Sequence, residues 1–200
     1  MEQVSLFENA IAEYFGAPYA VATDCCTHAI ELCLRLVKPA ELVIPYHTYL
    51  SIPMTAMKLD IPFKWKLASS WSLWYELGNT GIIDAATYWK KDGYIPGSYM
   101  CLSFQFKKHL NLGRGGVILT DNPTSADVLR KMVYDGRTRD LPWAEQNVDT
   151  LGYHYYMTPE TATLGLEKLE QAKQTLPRIW SYKDYPDLRK MEVFNNVEQE

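Results

Sequence analysis

Short, continuous apolar runs recur along the chain: YAVAT (19–23), LVIP (42–45), GIIDA (81–85), YMCLSF (99–104) and GVILTD (116–121). Stretches with helical spacing lie between the early ones. Val4, Phe7, Ile11 and Tyr14 mark a first helix that Gly16 stops. Ile30, Cys33, Leu34 and Val37 mark a second, ended by Pro39. Strands that are apolar on every residue must be covered on both faces, and their alternation with helices predicts an α/β fold with a mainly parallel central sheet flanked by helices. The last two strands are joined by a turn with no room for a crossover helix, so they should pair antiparallel.

Further elements follow from local signals. A helix is expected from about Thr48 to Lys58, kinked or restarted at Pro53, and a strand within IPFKWKL. Asn122-Pro123-Thr124 opens a helix to about Tyr134, closed by Gly136. Thr158-Pro159-Glu160 pairs an N-cap with proline at the first helical position, and Ala162, Leu166 and Leu169 give that helix its buried face. ASSWSLWYELGNT and the tail from Leu176 resist assignment.

With 47% hydrophobic and 22% charged residues, the 200-residue chain is globular rather than disordered. Its net charge of −4, with dispersed basic residues, excludes a broad nucleic-acid surface but leaves room for a local phosphate site. The four cysteines, Cys25, Cys26, Cys33 and Cys101, form no CxxC pair or disulfide-rich pattern. No apolar run is long enough to span a membrane, and the start lacks a signal-peptide core; the expected setting is the reducing cytoplasm.

Three features carry chemistry. In DCCTHAIELCL (24–34) a strand gives way to a polar turn and a helix start, where free N–H groups and the helix dipole favour an anion; for the turn alone an ordinary cap is the favoured reading, since caps far outnumber phosphate sites. Asp84 ends a strand at the edge where ligands of open α/β sheets collect, and could hold a cationic ring nitrogen, a metal or a ribose, or simply cap the next turn. In SFQFKKHLNLGRGG (103–116) two adjacent lysines follow a strand; each disfavours its neighbour's charge, and a lysine so depressed is a nucleophile for aldehydes, though a solvated basic turn would look the same. GRGG lacks the order of a P-loop and reads as a tight turn. No Cys, His or carboxylate group shows metal-ligand spacing, so no metal is expected. An anion pocket, an acid and a nucleophilic lysine at one sheet edge are together what pyridoxal 5′-phosphate requires.

With these motifs in order, the chain resembles the DegT/DnrJ/EryC1/StrS aminotransferases, fold type I enzymes that use pyridoxal 5′-phosphate and mostly aminate nucleotide-linked keto-sugars. FENAIAEYFGAPYAVAT, DCCTHAIELCL, VIPYHTYLSIPMTAM, IIDAAT, SFQFKKHLNLGRGG, DGRTRD and LGYHYYMTPETATLGLEKLE carry the resemblance from the N-terminus to about residue 175. It implies that Lys108, five positions after Ser103, forms the internal aldimine, with Lys107 an exposed neighbour that helps lower its pKa. It further implies that Asp84 pairs with the pyridine nitrogen, that Cys25, Cys26, Thr27 and Ser103 contact the phosphate, that Tyr49 lies on the ring face and Thr87 near the cofactor. His154 would reach the phosphate of a partner subunit in a homodimer. The implied substrates are a nucleotide-linked sugar and an amino-acid donor.

Several positions depart from the family pattern. Cys25-Cys26 replaces Ser-Gly, putting side chains where backbone normally approaches phosphate. Thr87 stands for His or Gln, Arg114 for an acid, and His154 and Tyr156 for Asn and Arg; the connection from Ile61 to Gly81 is short. The expected division is a cofactor-binding core over 1–175 and a tail over 176–200, remnant of or substitute for the family's small domain. The alternatives are a catalytically reduced relative that binds the cofactor or a sugar nucleotide, and a sugar dehydratase on the same scaffold.

Overall fold

The computed structural model describes residues 1–67 and 70–199. The helices are α1 (Glu2–Phe15), α2 (Cys26–Val37), α3 (Ser51–Lys58), α4 (Pro123–Val133) and α5 (Pro159–Gln174); the strands are β1 (Tyr19–Thr23), β2 (Leu42–Ile44), β3 (Phe63–Trp65), β4 (Tyr75–Glu76), β5 (Ile82–Asp84), β6 (Tyr99–Ser103) and β7 (Gly116–Thr120).

The expected helix signals do their work. Val4, Phe7, Ile11 and Phe15 of α1 are fully buried, and Gly16 closes the helix at φ 73°, a left-handed conformation that costs glycine little. Asn122 and Thr158 cap α4 and α5 by accepting from the backbone N–H groups of Ser125 and Thr161. Helix α3 starts at Ser51 rather than Thr48, so Pro53 falls in its first turn, where no N–H is needed and no kink follows. The unassigned stretch ASSWSLWYELGNT contains β4; its Ala68 and Ser69 lie outside the described residues.

Among the described residues, five strands form one sheet in the order β1-β7-β6-β5-β4, and β2 pairs with β3 separately. The fold is α/β as expected, but the sheet is mixed rather than mainly parallel. Only β5–β6 and β2–β3 run parallel; β1–β7, β6–β7 and β4–β5 are antiparallel. The cause is the tight turn after β6: it returns β7 antiparallel along β6, and β1 then docks on the far side of β7.

Alternate residues of the central strands enter two apolar layers. Val21, Cys101 and Ile118 face the layer of α2 and α4, while Ala22, Leu102 and Val117 face that of α1 and α5. Burial on both faces is why these strands read as continuous apolar runs. The tail folds back through short 3₁₀ turns. It buries Leu188 and Phe194 against the α2 layer, donates Leu188 N–H to the Tyr46 carbonyl at 3.0 Å, and accepts from Leu73 N–H at the Trp180 carbonyl at 2.9 Å.

Candidate functional site

The carboxyl ends of β5 and β6, the β1–α2 turn, the start of α3 and the tail surround a cavity of about 330 Å³, within the size range of small-molecule sites. Eight of the nine expected residues line it: Cys25, Cys26, Thr27, Tyr49, Asp84, Thr87, Ser103 and Lys108. The ninth, His154, does not. Its side chain is exposed and its Nδ1 lies 3.1 Å from an Asp135 carboxylate oxygen.

At the β1–α2 turn Cys25 is the N-cap, in an extended conformation that leaves the first N–H groups of α2 without helical partners. The Thr23 hydroxyl donates to the Cys25 carbonyl at 2.9 Å and fixes the turn. The Cys26 thiol is turned toward the Cys101 carbonyl, 3.7 Å away, which takes it off the face where an anion would sit. Burial, reinforced by the Asp84 charge, pushes that thiol well up, so it stays neutral. Gly116, opening β7, runs directly against the turn. A Cβ there would stand 2.6 Å from both the Cys25 carbonyl carbon and the Cys26 nitrogen, so the close approach requires glycine.

Asp24 organises the charges around this turn. It accepts from His28 Nδ1 and from Arg114 Nη2, each at 2.6 Å. Burial opposes its charge, but these two cations hold its carboxyl below the usual range. His28 stacks on Tyr155 with ring centroids 3.6 Å apart. Burial opposes its charge too; hydrogen bonds and charges of Asp24 and Cys25 outweigh this and push it up to about 9. Arg114, a departure from the family pattern, is thus the partner of Asp24. Spacing alone had given no metal-ligand set, yet Asp24, Cys25 and His28 bring donor atoms within 4.8 Å of one another. Both Asp24 oxygens are already held by cations, so a metal ion would have to displace them.

Asp84 is buried at the end of β5. It accepts from the Tyr75 phenol at 2.6 Å on Oδ2 and from the Ala86 N–H at 3.0 Å on Oδ1. An ionised carboxylate only accepts, so the phenol donates to it and in turn accepts from the Thr48 hydroxyl. Burial raises the Asp84 carboxyl above its ordinary value, against the pull of Tyr75, Ala86 and Lys108. Such a group gains most from a cation brought to it. The Thr87 hydroxyl donates to the Leu73 carbonyl at 2.8 Å and so is committed to the protein. Tyr49, 57% exposed, stands at the mouth.

Lys108 follows β6 in a turn closed by its own N–H on the Gln105 carbonyl at 2.8 Å. Burial pulls its ammonium below the usual lysine range; the charge of exposed Lys107 acts in the same direction, and Asp84 opposes both. A partly buried amine with depressed basicity is a nucleophile for a carbonyl.

Sequence reasoning missed four side chains that shape the cavity: Thr48, Trp71, Tyr75 and Tyr185. Trp71 lies 5.0 Å from the Tyr75 ring and 5.3 Å from that of Tyr185. His47 Nδ1 donates to the Tyr185 carbonyl at 2.8 Å, holding the tail against the site. The density of Trp and Tyr in the two unassigned stretches was the one available signal.

Comparisons with known proteins bear on the family and the fold. The profile of the DegT/DnrJ/EryC1/StrS aminotransferase family matches residues 2–61 and 86–182. The gap spans β3, β4 and β5, so Asp84 is placed by the structure and its strand motif rather than by that match. An uncharacterized protein of Methanocaldococcus jannaschii, MJ1066, is 26% identical over 176 residues, 82% of this chain and 44% of its own. AtS13 from Actinomadura melliaura superposes with a TM-score of 0.76 at 20% identity, over 88% of this chain and 61% of its own. The sugar aminotransferase CalS13 from Micromonospora echinospora gives 0.73 at 16% identity, over 88% and 62%. The chain thus spans less than two thirds of the length of each of these relatives.

Proposed function

From the premise that the chain belongs to the DegT/DnrJ/EryC1/StrS aminotransferase family, we propose that it transfers an amino group from an amino-acid donor to a nucleotide-linked keto-sugar. Pyridoxal 5′-phosphate is the cofactor that goes with this membership, and the residues present fit it. The observation that carries the reading is one cavity holding a depressed lysine, a buried acid and a helix N-terminus walled by glycine.

The bound cofactor supplies an aldehyde and an electron-accepting ring. Lys108 would be the amine that holds the cofactor, and its free amine would move the proton at the reacting carbon. Asp84 would keep the ring nitrogen protonated through a charge-assisted hydrogen bond. The α2 N-terminus, Thr27 and Ser103 would hold the phosphate, with Cys25 beside them, and Tyr49 would stand against the ring. Tyr185 of the tail lines the cavity and limits the access of water to it.

The same reading makes the protein a homodimer, with His154 offered to the phosphate of the partner's site, and places it in the cytoplasm, where its four free thiols stay reduced. No helix among the described residues is long and apolar enough to cross a membrane.

Borohydride reduction of protein loaded with pyridoxal 5′-phosphate tests the proposal. The cofactor's mass should be fixed on Lys108, resolved from Lys107 by fragment-ion mass spectrometry. A label on Lys107, or none, refutes the assignment. Product analysis with a nucleotide-linked keto-sugar then separates amination from dehydration and from binding without turnover.

A further inference from the structure

Lys108 is shared between two cavities. Beyond the one described lies a second, of about 280 Å³, which has Ala86, Thr87, Ser103 and Lys108 in common with it. Its distinctive feature is charge: Lys107, Lys108 and Arg178 line it together with the His109 ring, and among the described residues no acidic residue does. In a chain of net charge −4 this is a local concentration of positive potential, although Lys107 and the 63% exposed Arg178 side chain also meet solvent.

The cations are poorly compensated. Among the described residues neither Lys107 nor Lys108 has an ion-pair partner within 4.0 Å. Arg178 does have one, yet this fixes it more than it occupies it. One Nη2 is tied to Asp184, and the guanidinium lies 3.9 Å from the centre of the Trp180 ring. Stacking and a single ion pair leave the other N–H donors of its planar fork, pre-organised for a flat or tetrahedral oxyanion. The Lys108 ammonium lies 5.5 Å from the same Trp180 ring, so an anion beside Arg178 would sit next to the reactive amine.

The cofactor's phosphate is assigned above to the α2 N-terminus, whose Cys25, Cys26 and Thr27 line the first cavity and not the second. We propose that the second cavity is an oxyanion subsite that receives the anionic group of a substrate, a carboxylate or a phosphate, and aligns it with Lys108. Its role as a substrate subsite rests on the aminotransferase reading; the binding of an anion there does not.

The two sources are separated by probes that cannot react with the cofactor: glutarate for a donor carboxylate, and uridine diphosphate and inorganic phosphate for a sugar nucleotide. Each is titrated calorimetrically into protein loaded with pyridoxal 5′-phosphate and dialysed. At least one should bind, and Lys107→Gln and Arg178→Gln should each weaken it about tenfold, as expected for loss of one charge-assisted contact. Cofactor affinity should stay within about twofold in Arg178→Gln. Lys107 is exposed, so its variant keeps the fold even if Arg178→Gln loosens the tail. Saturation by glutarate alone assigns the site to a carboxylate, and by uridine diphosphate alone to a nucleotide phosphate. Binding of none of the three, or equal affinity in Lys107→Gln and wild type, overturns the proposal. Anion binding without transamination would refute the function and leave the subsite standing. Transamination with an unchanged substrate KM in both variants would do the reverse.

Discussion

Tyr75 and Asp84 face each other across the antiparallel pair β4–β5, and the Tyr75 phenol donates to Asp84 Oδ2 at 2.6 Å. This bond, backed by Thr48, is one of the few forces drawing the buried carboxyl toward its charged form. Tyr75→Phe removes it and leaves both Asp84 and Thr48 short of a partner. The expected cost is about 1.5–3 kcal/mol of stability. The Asp84 carboxyl should rise further, so it is protonated at a higher pH. The acid limb of pyridoxal 5′-phosphate binding, followed by absorbance, should therefore move to higher pH. A purely structural tyrosine would lower stability and leave that limb in place.

Gly116→Ala probes the phosphate turn. The new methyl would press on the backbone of Cys25 and Cys26 at 2.6 Å, and neither a carbonyl carbon nor an amide nitrogen can swing aside as a side chain can. The turn must open. Overpacking of this kind costs about 1–3 kcal/mol, and cofactor affinity should fall with it. Denaturant midpoints and cofactor titrations measure the two effects. An alanine variant with full affinity would show that the turn does not hold the phosphate.

His28 makes the stability of this turn depend on pH. Its pKa is raised from 6.5 to about 9, so its contribution is complete below about pH 6.5 and is lost as pH rises through about 9. Asp24 works on the acid side. Its pKa is lowered, so its contribution is present above the ordinary carboxylate range and lost as pH falls below it. The shift on His28 corresponds to about 3 kcal/mol as an upper bound. Unfolding free energy should decline between pH 7 and 10, and His28→Asn should flatten that slope. An equal slope in the variant would refute the coupling.

What could be read from the sequence, and what could not, divides along the range of the signals. The starts of α4 and α5 are written in local chemistry, Asn122-Pro123 and Thr158-Pro159, and both formed where expected. The antiparallel β6–β7 pair followed from the length of one turn. The overall sheet direction did not follow, because the docking of β1 on β7 joins residues about a hundred positions apart. Lys108, Asp84 and the Cys25–Thr27 turn were legible because each ends or begins a periodic element. Tyr75 lies in a two-residue strand and Tyr185 beside a single 3₁₀ turn, elements too short to show a period. Their place in the site is decided by Asp84 and His47, which the sequence sets far away or in other elements.

The last prediction concerns assembly. Leu141, Trp143, Val148 and Leu151 are each more than half exposed and fall in one stretch directly before the strand-like segment that carries His154. Tyr49 and Phe106, 57% and 58% exposed, sit on the cavity lining itself. A second copy of the chain is the occupant that would cover this surface and bring an exposed His154 to a site it does not line in its own subunit. Aromatic side chains of this kind are favoured where apolar area is buried between subunits. Light scattering at micromolar concentration should give twice the 23.0 kDa chain mass. Trp143→Ser with Leu151→Asp should shift the protein toward monomer and lower cofactor affinity in parallel. His154→Ala should leave the dimer intact and weaken cofactor binding alone. A monomer that retains full affinity for pyridoxal 5′-phosphate would sink both the dimer and the role given to His154, because the site would then be complete within one chain.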